Sequence, residues 1–212
     1  MKGLFITFEG PDGAGKTTQL NLLAARLRGD GLDVVTTREP GGTPIGDQIR
    51  GILLSPENRE MAARTEALLY AASRAQHVQE KIIPALHRGS IVLCDRFVDA
   101  SIAYQSAGLG IDEQWVRTIN AYAVAGMAPH RTYLLDIAEA ASRRRLLDRA
   151  GQALDRIELR EEAYHRKVRR KFLQIAKEES DRVMMVNANR AEEEIAAEIY
   201  QDFQKLLRAL SN

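Results

Sequence analysis

The sequence predicts an α/β protein in which helices flank a five-stranded parallel sheet. Short apolar runs alternate along the chain with longer stretches of helical periodicity, which is typical of a parallel sheet. Three of the runs are nearly all apolar over four or five residues, as strands covered on both faces are. The length of 212 residues fits one domain spanning residues 1–212, with a short mobile flap.

The predicted elements follow one another in strict alternation. In the last predicted helix, apolar residues recur every three or four positions, which indicates one buried face. The predicted strands are Leu4–Glu9, Asp33–Thr37, Ile91–Asp95, Thr132–Ile137 and Arg182–Asn187. The predicted helices are Lys16–Arg28, Pro44–Leu54, Glu60–His87, Asp112–Gly126, Ala138–Asp148, Ile157–Ser180 and Ala191–Leu210.

Composition excludes several classes of protein. There are 30 Lys and Arg against 29 Asp and Glu, a net charge of +1, so no overall attraction to nucleic acid or to a membrane surface is expected. The single cysteine, Cys94, excludes an internal disulfide framework and a cysteine-based zinc cluster. No apolar run approaches the roughly 20 residues of a membrane span, and the first run is too short for a signal peptide. We therefore expect a cytoplasmic protein.

A glycine-rich segment joins the first predicted strand to the first helix. It matches the pattern G-x-x-x-x-G-K-[ST] with the residues Gly10, Pro11, Asp12, Gly13, Ala14, Gly15, Lys16 and Thr17, followed by Thr18. Such a loop points its backbone N–H groups at phosphate oxygens, and the helix N-terminus adds its dipole. Lys16 is predicted to reach the β- and γ-phosphates and Thr17 to bind Mg²⁺. The segment predicts a nucleoside triphosphate site.

The phosphate loop alone leaves GTPases, ATPases and small-molecule kinases open. No Asn-Lys-x-Asp sequence occurs, so a guanine-specific switch lacks its base-reading motif. Asp95 ends the third predicted strand and could hold Mg²⁺ through water. Asp136 at the end of the fourth strand is the rival for that role, unless it caps the following helix.

Two arginines indicate a second, smaller phosphate site. Arg38 ends the second predicted strand and Arg96 directly follows the third. Ligands of open α/β sheets bind beyond the carboxyl ends of the strands, so both side chains are expected to converge there with Asp12. Two guanidinium groups can grip a phosphate dianion bidentately. For either arginine alone, a surface salt bridge is the competing interpretation.

Taken together, these segments resemble the thymidylate kinase family of bacteria over nearly the whole chain. The segments that carry the resemblance are Glu9–Thr18, Thr37–Thr43, Ala71–His77, Asp95–Phe97, Ser101–Gln105 and Leu154–Glu158. The resemblance implies a P-loop nucleoside monophosphate kinase fold with a short lid at about residues 143–156. It also implies that the chain transfers the γ-phosphoryl group of ATP to dTMP with Mg²⁺, giving dTDP and ADP, and that it forms a homodimer through the long helix Glu60–His87.

The resemblance further implies roles for individual residues. Asp12 would contact the deoxyribose 3′-hydroxyl, and Arg38 and Arg96 would hold the dTMP phosphate. Arg74, Ser101 and Gln105 would hydrogen-bond to the thymine base. Tyr104 would lie where a ribose 2′-hydroxyl would project, and Tyr70, four residues before Arg74, would stack on the base where the family usually has Phe. An ordinary core position is the alternative for Tyr70.

The resemblance implies that an arginine from either the phosphate loop or the lid neutralises charge on the transferred phosphoryl group. The variable positions of the phosphate loop contain no arginine, so the resemblance implies that the lid supplies it. Alignment on Leu154-Asp155-Arg156 makes Arg149 the predicted catalytic residue, together with Asp12, Lys16 and Arg96. The alternatives are Arg143–Arg145, otherwise a solvated helix face, and Arg156.

Other features are interpreted as structural. The basic segment 165–171 lies on a predicted helix with an apolar stripe, so a solvated face is favoured over a nucleic-acid site. His77 and Cys94 are interpreted as core residues. Two functional alternatives stay open: a kinase of another nucleotide or nucleoside, and a non-catalytic ATP-binding regulator of the same fold.

Overall fold

Five parallel strands form one sheet in the computed structural model, which describes residues 3–148 and 154–211. The strand order is β2-β3-β1-β4-β5, so β1 lies in the centre and β2 and β5 lie at the edges. The strands are β1 (Leu4–Glu9), β2 (Val34–Arg38), β3 (Ile91–Asp95), β4 (Arg131–Asp136) and β5 (Val183–Asn187). The parallel α/β prediction is confirmed, with strand ends within one residue of those expected.

Helices cover both faces of this sheet, and the central strand β1 is therefore buried along its whole length. On one face, α1 and α9 pack Leu23 and Phe203 into the largest apolar cluster. The helices are α1 (Lys16–Gly29), α2 (Pro44–Leu54), α3 (Ala63–His77), α4 (Ile83–His87), α5 (Val98–Ser101), α6 (Glu113–Val124), α7 (Glu139–Leu147), α8 (Glu162–Glu178) and α9 (Glu192–Ser211). Two π-helical segments, Val78–Ile82 and Ile102–Gly108, follow α3 and α5 without a break.

The long helix predicted over Glu60–His87 differs from the structure in two ways. It begins at Ala63, and it widens into the π-helical segment Val78–Ile82 before α4. Pro84 supplies a physical reason, since it lacks the N–H that an α-helix would bond to residue 80 and its ring needs room beside that carbonyl. Within the stretch predicted to form the dimer contact, Ile82 is fully buried in the core of its own chain, whereas Leu68 is exposed.

Helix α8 begins later than the predicted Ile157–Ser180. The Asp155 carboxylate accepts hydrogen bonds from the N–H groups of Ile157 and Glu158, at 2.8 and 2.9 Å, and so holds this stretch in a turn. From Glu162 onward the predicted apolar stripe is buried, and Glu162 pairs with Arg166 at 3.6 Å across one helical turn. Arg166, Lys167 and Arg170 of the basic segment lie on the exposed side of this packed helix, whereas Lys171 is buried.

The sequence analysis missed the helical segment Val98–Gly108 between β3 and α6. It combines a short α-helix with a π-helical continuation, and its residues Ile102 and Ala103 are buried. Neither piece is long enough to show a clear helical period. Within the described ranges, no helix combines the length and apolar composition needed to cross a membrane.

Candidate active site

The glycine-rich loop joins β1 to α1 at the carboxyl end of the sheet. Gly10 has a φ of 134°, and a Cβ there would lie 2.3 Å from the carbonyl oxygen of Leu135. Only glycine fits this combination of backbone conformation and close approach. Lys16 at the start of α1 is buried and donates a hydrogen bond to the carbonyl oxygen of Pro11 at 2.8 Å. The loop therefore curls around its own lysine, as a phosphate-binding loop does.

Lys16 is in an unusual electrostatic environment. Burial lowers the pKa of its ammonium group, and the nearby charge of Arg96 lowers it further, to about 8. Asp95 and Asp12 act in the opposite direction but do not fully compensate. A buried ammonium group of this kind is stabilised by the approach of an anionic ligand.

Thr17 and Asp95 form an oxygen-rich pair beside the loop. The Thr17 hydroxyl donates to the Asp95 carboxylate at 2.5 Å. A hydroxyl and a carboxylate are the hard oxygen ligands that Mg²⁺ prefers, so this pair fits such an ion. The rival Asp136 is instead held by Arg169 through two hydrogen bonds of 2.7 and 2.9 Å.

A cleft of about 710 Å³ opens in front of these groups. Its lining includes the loop residues from Asp12 to Thr18, so the predicted triphosphate residues lie along one wall, except Gly10 and Pro11, which do not line the cleft. Charged side chains from distant elements complete it: Arg38, Glu39, Arg50, Asp95, Arg96, Arg145, Asp155, Glu158, Arg190 and Glu192. We call this space the phosphate cleft.

A smaller cavity of about 80 Å³ adjoins the phosphate cleft. Asp12, Glu39, Arg50, Arg96 and Asp155 line both spaces, so the two are neighbours with a common wall. The remaining lining residues of the cavity are Pro40, Leu54, Tyr70, Arg74, Ala100, Ser101, Tyr104, Gln105 and Ile157. All of the residues predicted to bind dTMP line it except Arg38, and we call it the base cavity.

At the common wall, Asp12 lies at the centre of a hydrogen-bonded group. One carboxylate oxygen accepts from Arg96 at 2.5 Å and the other from the Tyr104 hydroxyl at 2.8 Å. Burial alone would raise the pKa of Asp12, but Arg96 and then Lys16 outweigh it and hold that pKa well below its usual range. Asp12 is therefore ionised at neutral pH.

Arg96 is positioned by its backbone as well as by its partners. Its φ is 72°, a left-handed conformation that is uncommon for a side chain of this size. The guanidinium group also donates to the carbonyl oxygen of Gly10 at 3.0 Å and lies over the Tyr104 ring at 4.8 Å from its centroid. The sharp turn after β3 thus aims Arg96 back across the end of the sheet.

Arg38 is placed differently from Arg96. It ends the edge strand β2, its side chain is 57% exposed, and it pairs with Asp47 at 3.5 Å. Arg38, Arg96 and Asp12 all line the phosphate cleft, as predicted. Arg50 of α2 also lines the phosphate cleft, and its guanidinium group donates to the carbonyl oxygen of Pro40 at 3.0 Å. No motif marked Arg50, and sequence reasoning missed it.

Arg74 is the largest of the fully buried side chains and has a full set of neighbours. It donates to Glu39 at 2.6 Å, to the Ser101 hydroxyl at 2.8 Å and to the carbonyl oxygen of Phe97 at 2.8 Å. It also contacts the side-chain oxygen of Asn120. The guanidinium group is thus fixed before any ligand arrives. Glu39 lies within a segment singled out from the sequence, but its pairing with Arg74 was not foreseen.

His77 and Cys94 lie in the buried layer behind Glu39. His77 bridges Glu39 at 2.9 Å and the Thr37 hydroxyl at 2.7 Å. The Cys94 thiol donates to the carbonyl oxygen of Arg96 at 3.1 Å, and burial raises its pKa well above the usual value. Both residues support the site from the core, in line with their structural interpretation.

The lid region contains several of the candidate arginines. Arg145 on α7 lines the phosphate cleft and donates to the carbonyl oxygens of Gly13 and Ala188, at 3.5 and 3.1 Å. Arg143 pairs with Glu162 at 2.6 Å. Arg156 is buried, pairs with Glu66 at 2.8 Å and lines neither the phosphate cleft nor the base cavity. Arg149, the predicted catalytic arginine, lies outside the described residues.

Comparison with known proteins agrees with this geometry. The family model described as thymidylate kinase matches residues 8–199, most of the chain. The chain belongs to the thymidylate kinase family. The resemblance found in the sequence segments is thereby confirmed, and the sheet with its phosphate loop is the P-loop nucleoside monophosphate kinase fold of that family.

Individual members of the thymidylate kinase family match over almost their whole length. The thymidylate kinase of Exiguobacterium sibiricum is 53% identical over 208 residues, covering 98% of this chain and 97% of that one. The Enterococcus faecalis thymidylate kinase is 46% identical over 202 residues, with 95% of each chain covered. The crystal structure of thymidylate kinase from Ehrlichia chaffeensis has a TM-score of 0.79 at 30% identity, and the match covers 96% of this chain and all of that one.

Proposed function

We propose that this chain transfers the γ-phosphoryl group of ATP to dTMP, giving dTDP and ADP. Family membership supports this activity, and one structural observation carries it: the phosphate cleft and the base cavity share Asp12 and Arg96 as a common wall. Two ligands bound in these spaces would meet at that wall. Phosphoryl transfer needs this juxtaposition, since the protein contributes mainly positioning and positive charge.

In the phosphate cleft, the loop N–H groups and Lys16 would hold the β- and γ-phosphates of ATP. Thr17 and Asp95 would hold the accompanying Mg²⁺, directly or through water, since their oxygens lie 2.5 Å apart and face the cleft. When bound, the ion neutralises charge on the phosphate oxygens. Lys16, buried and short of counter-charge, gains a partner when the triphosphate arrives.

In the base cavity, Arg96 would bind the phosphate of dTMP. A guanidinium group has five N–H donors, and the contacts to Gly10, Asp12 and Tyr104 use three of them. The Nε–H and one Nη1–H remain as donors for oxygens of the phosphate dianion. Arg38 and Arg50 add positive charge at the side of the cleft.

The sugar and the base would lie deeper in the cavity. Ionised Asp12 accepts hydrogen bonds and suits the 3′-hydroxyl of the deoxyribose. The hydrogen bond from the Tyr104 hydroxyl to Asp12 fixes the tyrosine ring in place, so that the ring can exclude a ribose 2′-hydroxyl. Arg74, Ser101 and Gln105 would contact the edge of the thymine, and Tyr70 would stack on its face.

We further propose that the lid supplies the arginine that stabilises charge on the transferred phosphoryl group. Arg149 is our candidate on alignment, and Arg145, four positions earlier in the sequence, lines the phosphate cleft. The proposal treats residues 1–212 as one kinase domain with a lid at about 143–156.

A direct test is a coupled assay for ADP release with purified protein and ATP-Mg²⁺, across dTMP, dUMP, UMP, CMP and AMP. We expect dTMP to be the preferred acceptor and Lys16→Ala to abolish the reaction with every acceptor. Preference for a ribonucleotide would instead identify a kinase of another nucleotide. Binding of ATP without acceptor-dependent ADP release would identify a regulator.

Assembly and location complete the proposal. We propose a cytoplasmic homodimer formed through α3, where Leu68 is 49% exposed on the helix surface. Sedimentation of the wild type against Leu68→Glu tests the contact, and we expect the wild type to sediment as a dimer and the variant as a monomer. A wild-type monomer at micromolar concentration would contradict the proposed assembly.

A further inference from the structure

Behind the base cavity lies a buried carboxylate to which no role has been assigned. Glu66 on α3 has no exposed surface and does not line the cavity. One of its oxygens, Oε2, accepts from Arg156 at 2.8 Å and from Arg160 at 2.6 Å. The other, Oε1, accepts from the side-chain amide of Gln105 at 3.1 Å. All three partners are hydrogen-bond donors, and a carboxylate only accepts hydrogen bonds.

This contact determines which way the Gln105 amide points. A glutamine amide has a donating nitrogen and an accepting oxygen, and only the nitrogen can bond to a carboxylate. With Nε2 turned toward Glu66, the oxygen lies at the other corner of the amide. Gln105 is 1% exposed, lines the base cavity, and its Oε1 accepts no hydrogen bond from any residue in the described ranges. The amide therefore offers the cavity an acceptor.

An acceptor at this position distinguishes between pyrimidines. Thymine and uracil carry a hydrogen on ring nitrogen N3, between two carbonyl groups, and that N3–H is a donor. In cytosine the same nitrogen is an acceptor, next to an amino group. An amide oxygen can bond to the first kind of ring edge and opposes the second, whereas an amide nitrogen would do the reverse. Rotating one amide by half a turn would exchange the two preferences.

We propose that Glu66 is a positioning residue for base selectivity: it holds the Gln105 amide with its oxygen toward the ligand, so that the site accepts an N3–H donor and rejects cytosine. The inference rests on the proposed function, in which the base cavity takes dTMP. Arg156 and Arg160 belong to this arrangement, because both donate to Oε2 and leave Oε1 to the Gln105 amide. Glu66 itself touches no substrate.

The test compares acceptors in the variant Glu66→Gln. The replacement amide can donate or accept, so it no longer dictates the orientation of Gln105. We expect kcat/KM for dTMP relative to dCMP to fall about tenfold or more, chiefly through KM. The ratio of dTMP to dUMP should stay within about twofold, since both bases carry the N3–H. Glu113→Gln is the matched control, because Glu113 also has two basic partners, Arg117 and Lys171, but lies outside the base cavity.

A double variant separates positioning from general loosening of the fold. In a Gln105→Ala background the amide is gone, so adding Glu66→Gln should leave the dTMP to dCMP ratio unchanged. If Glu66→Gln does not fold, Glu66→Asp keeps the charge for the two arginines but withdraws the carboxylate by one methylene, and the same ratio should fall by a smaller factor.

The outcomes separate this inference from the proposed function. A wild-type protein that fails to phosphorylate dTMP contradicts the proposed function itself. A wild type active on dTMP, with a folded Glu66→Gln variant that retains the full preference over dCMP, overturns the role of Glu66. An equal loss with all three acceptors also overturns it, since that is the signature of a structural defect.

Discussion

The phosphate cleft and the base cavity are built in opposite ways. One wall of the cleft is a continuous stretch of chain, Asp12 to Thr18, and charged side chains from other elements complete it. The base cavity is formed by side chains from α2, α3, α5 and the π-helical segment after it, and the buried ion pair of Arg74 with Glu39 joins two parts of its lining. Triphosphate binding requires a local backbone shape, whereas base selection requires groups brought together from distant parts of the chain. Asp12 and Arg96 in the common wall line both spaces and so connect the two regions.

The largest effect on catalysis is expected from Arg96→Lys, which changes a residue of the common wall. Lysine cannot reproduce the planar set of donors that serves Gly10, Asp12 and the acceptor phosphate. We expect kcat/KM for dTMP to fall by about a thousandfold, or ~4 kcal/mol of transition-state stabilisation. Steady-state kinetics measure this, with the exposed Arg64→Lys as control. A loss below tenfold would show that the two spaces work independently.

The second effect concerns the lid. We expect Arg149→Ala to lower kcat by about a hundredfold, on the order of 3 kcal/mol, and to leave KM for dTMP unchanged, because the arginine acts on the transferred group and not on the acceptor. Arg170→Ala, on the exposed side of α8, is the control. Near-normal turnover in Arg149→Ala together with a large loss in Arg145→Ala would move the role to Arg145.

The third effect is on the stability of the fold. It concerns Glu9, the buried last residue of β1, which supports both regions. Its buried carboxylate accepts hydrogen bonds from the N–H groups of Phe97 and Ala100, at 2.7 and 3.3 Å. Burial, and next the charge of Asp99, raise the pKa of Glu9 from 4.5 to about 8. Below pH 4.5 the carboxyl group is protonated whether folded or unfolded. Between that pH and about 8, the Glu9 carboxyl group is ionised in the unfolded chain but still protonated in the folded protein. The free energy of unfolding therefore falls as pH rises.

The variant Glu9→Gln removes this pH dependence, because an amide accepts the same two hydrogen bonds and does not titrate. We expect it to match the wild type near pH 5 and to exceed it by ~2 kcal/mol at pH 8. Urea unfolding at both pH values measures the difference, and the exposed Glu57→Gln is the control. A variant that is less stable than the wild type at pH 8 would show that Glu9 is held as a charged group.

The fourth effect is a pH dependence confined to the phosphate cleft. With the pKa of Lys16 near 8, the ammonium group is charged below this pH and neutral above it. We expect kcat/KM for ATP to fall about tenfold per pH unit above pH 8. At saturating ATP the fall in kcat should begin at higher pH, because bound phosphates stabilise the ammonium. A profile for kcat/KM that is flat to pH 9 would contradict the assignment.

The smallest effect is expected at Tyr70 in the base cavity. Tyr70→Phe keeps the ring that would stack on thymine and removes only the hydroxyl, so KM for dTMP should change less than about threefold. Tyr70→Ala removes the ring and should raise KM about tenfold or more. Equal kinetics for Tyr70→Ala and the wild type would show that the residue is ordinary packing.

The features that could be predicted from the sequence follow the same division between local and distant parts of the chain. The strands, the phosphate loop and Asp95 were predictable because each depends on neighbours in the chain. The packing partners of Arg74 were not: Glu39 lies 35 residues away from it and Asn120 lies 46 away, and no local pattern links them. Arg50 carried no signal at all. The resemblance to a family supplied the base-cavity residues, but it did not show the buried charges that hold them.

The left-handed backbone at Arg96 constrains how this position could ever change. Glycine or asparagine would adopt that conformation with less strain, but neither carries a positive charge. Lysine keeps the charge and leaves the strain in place. No single replacement satisfies the turn and the electrostatics together, so a saturation library at codon 96 should return arginine alone among fully active clones. Selection acting on activity and selection acting on folding pull in different directions at this residue.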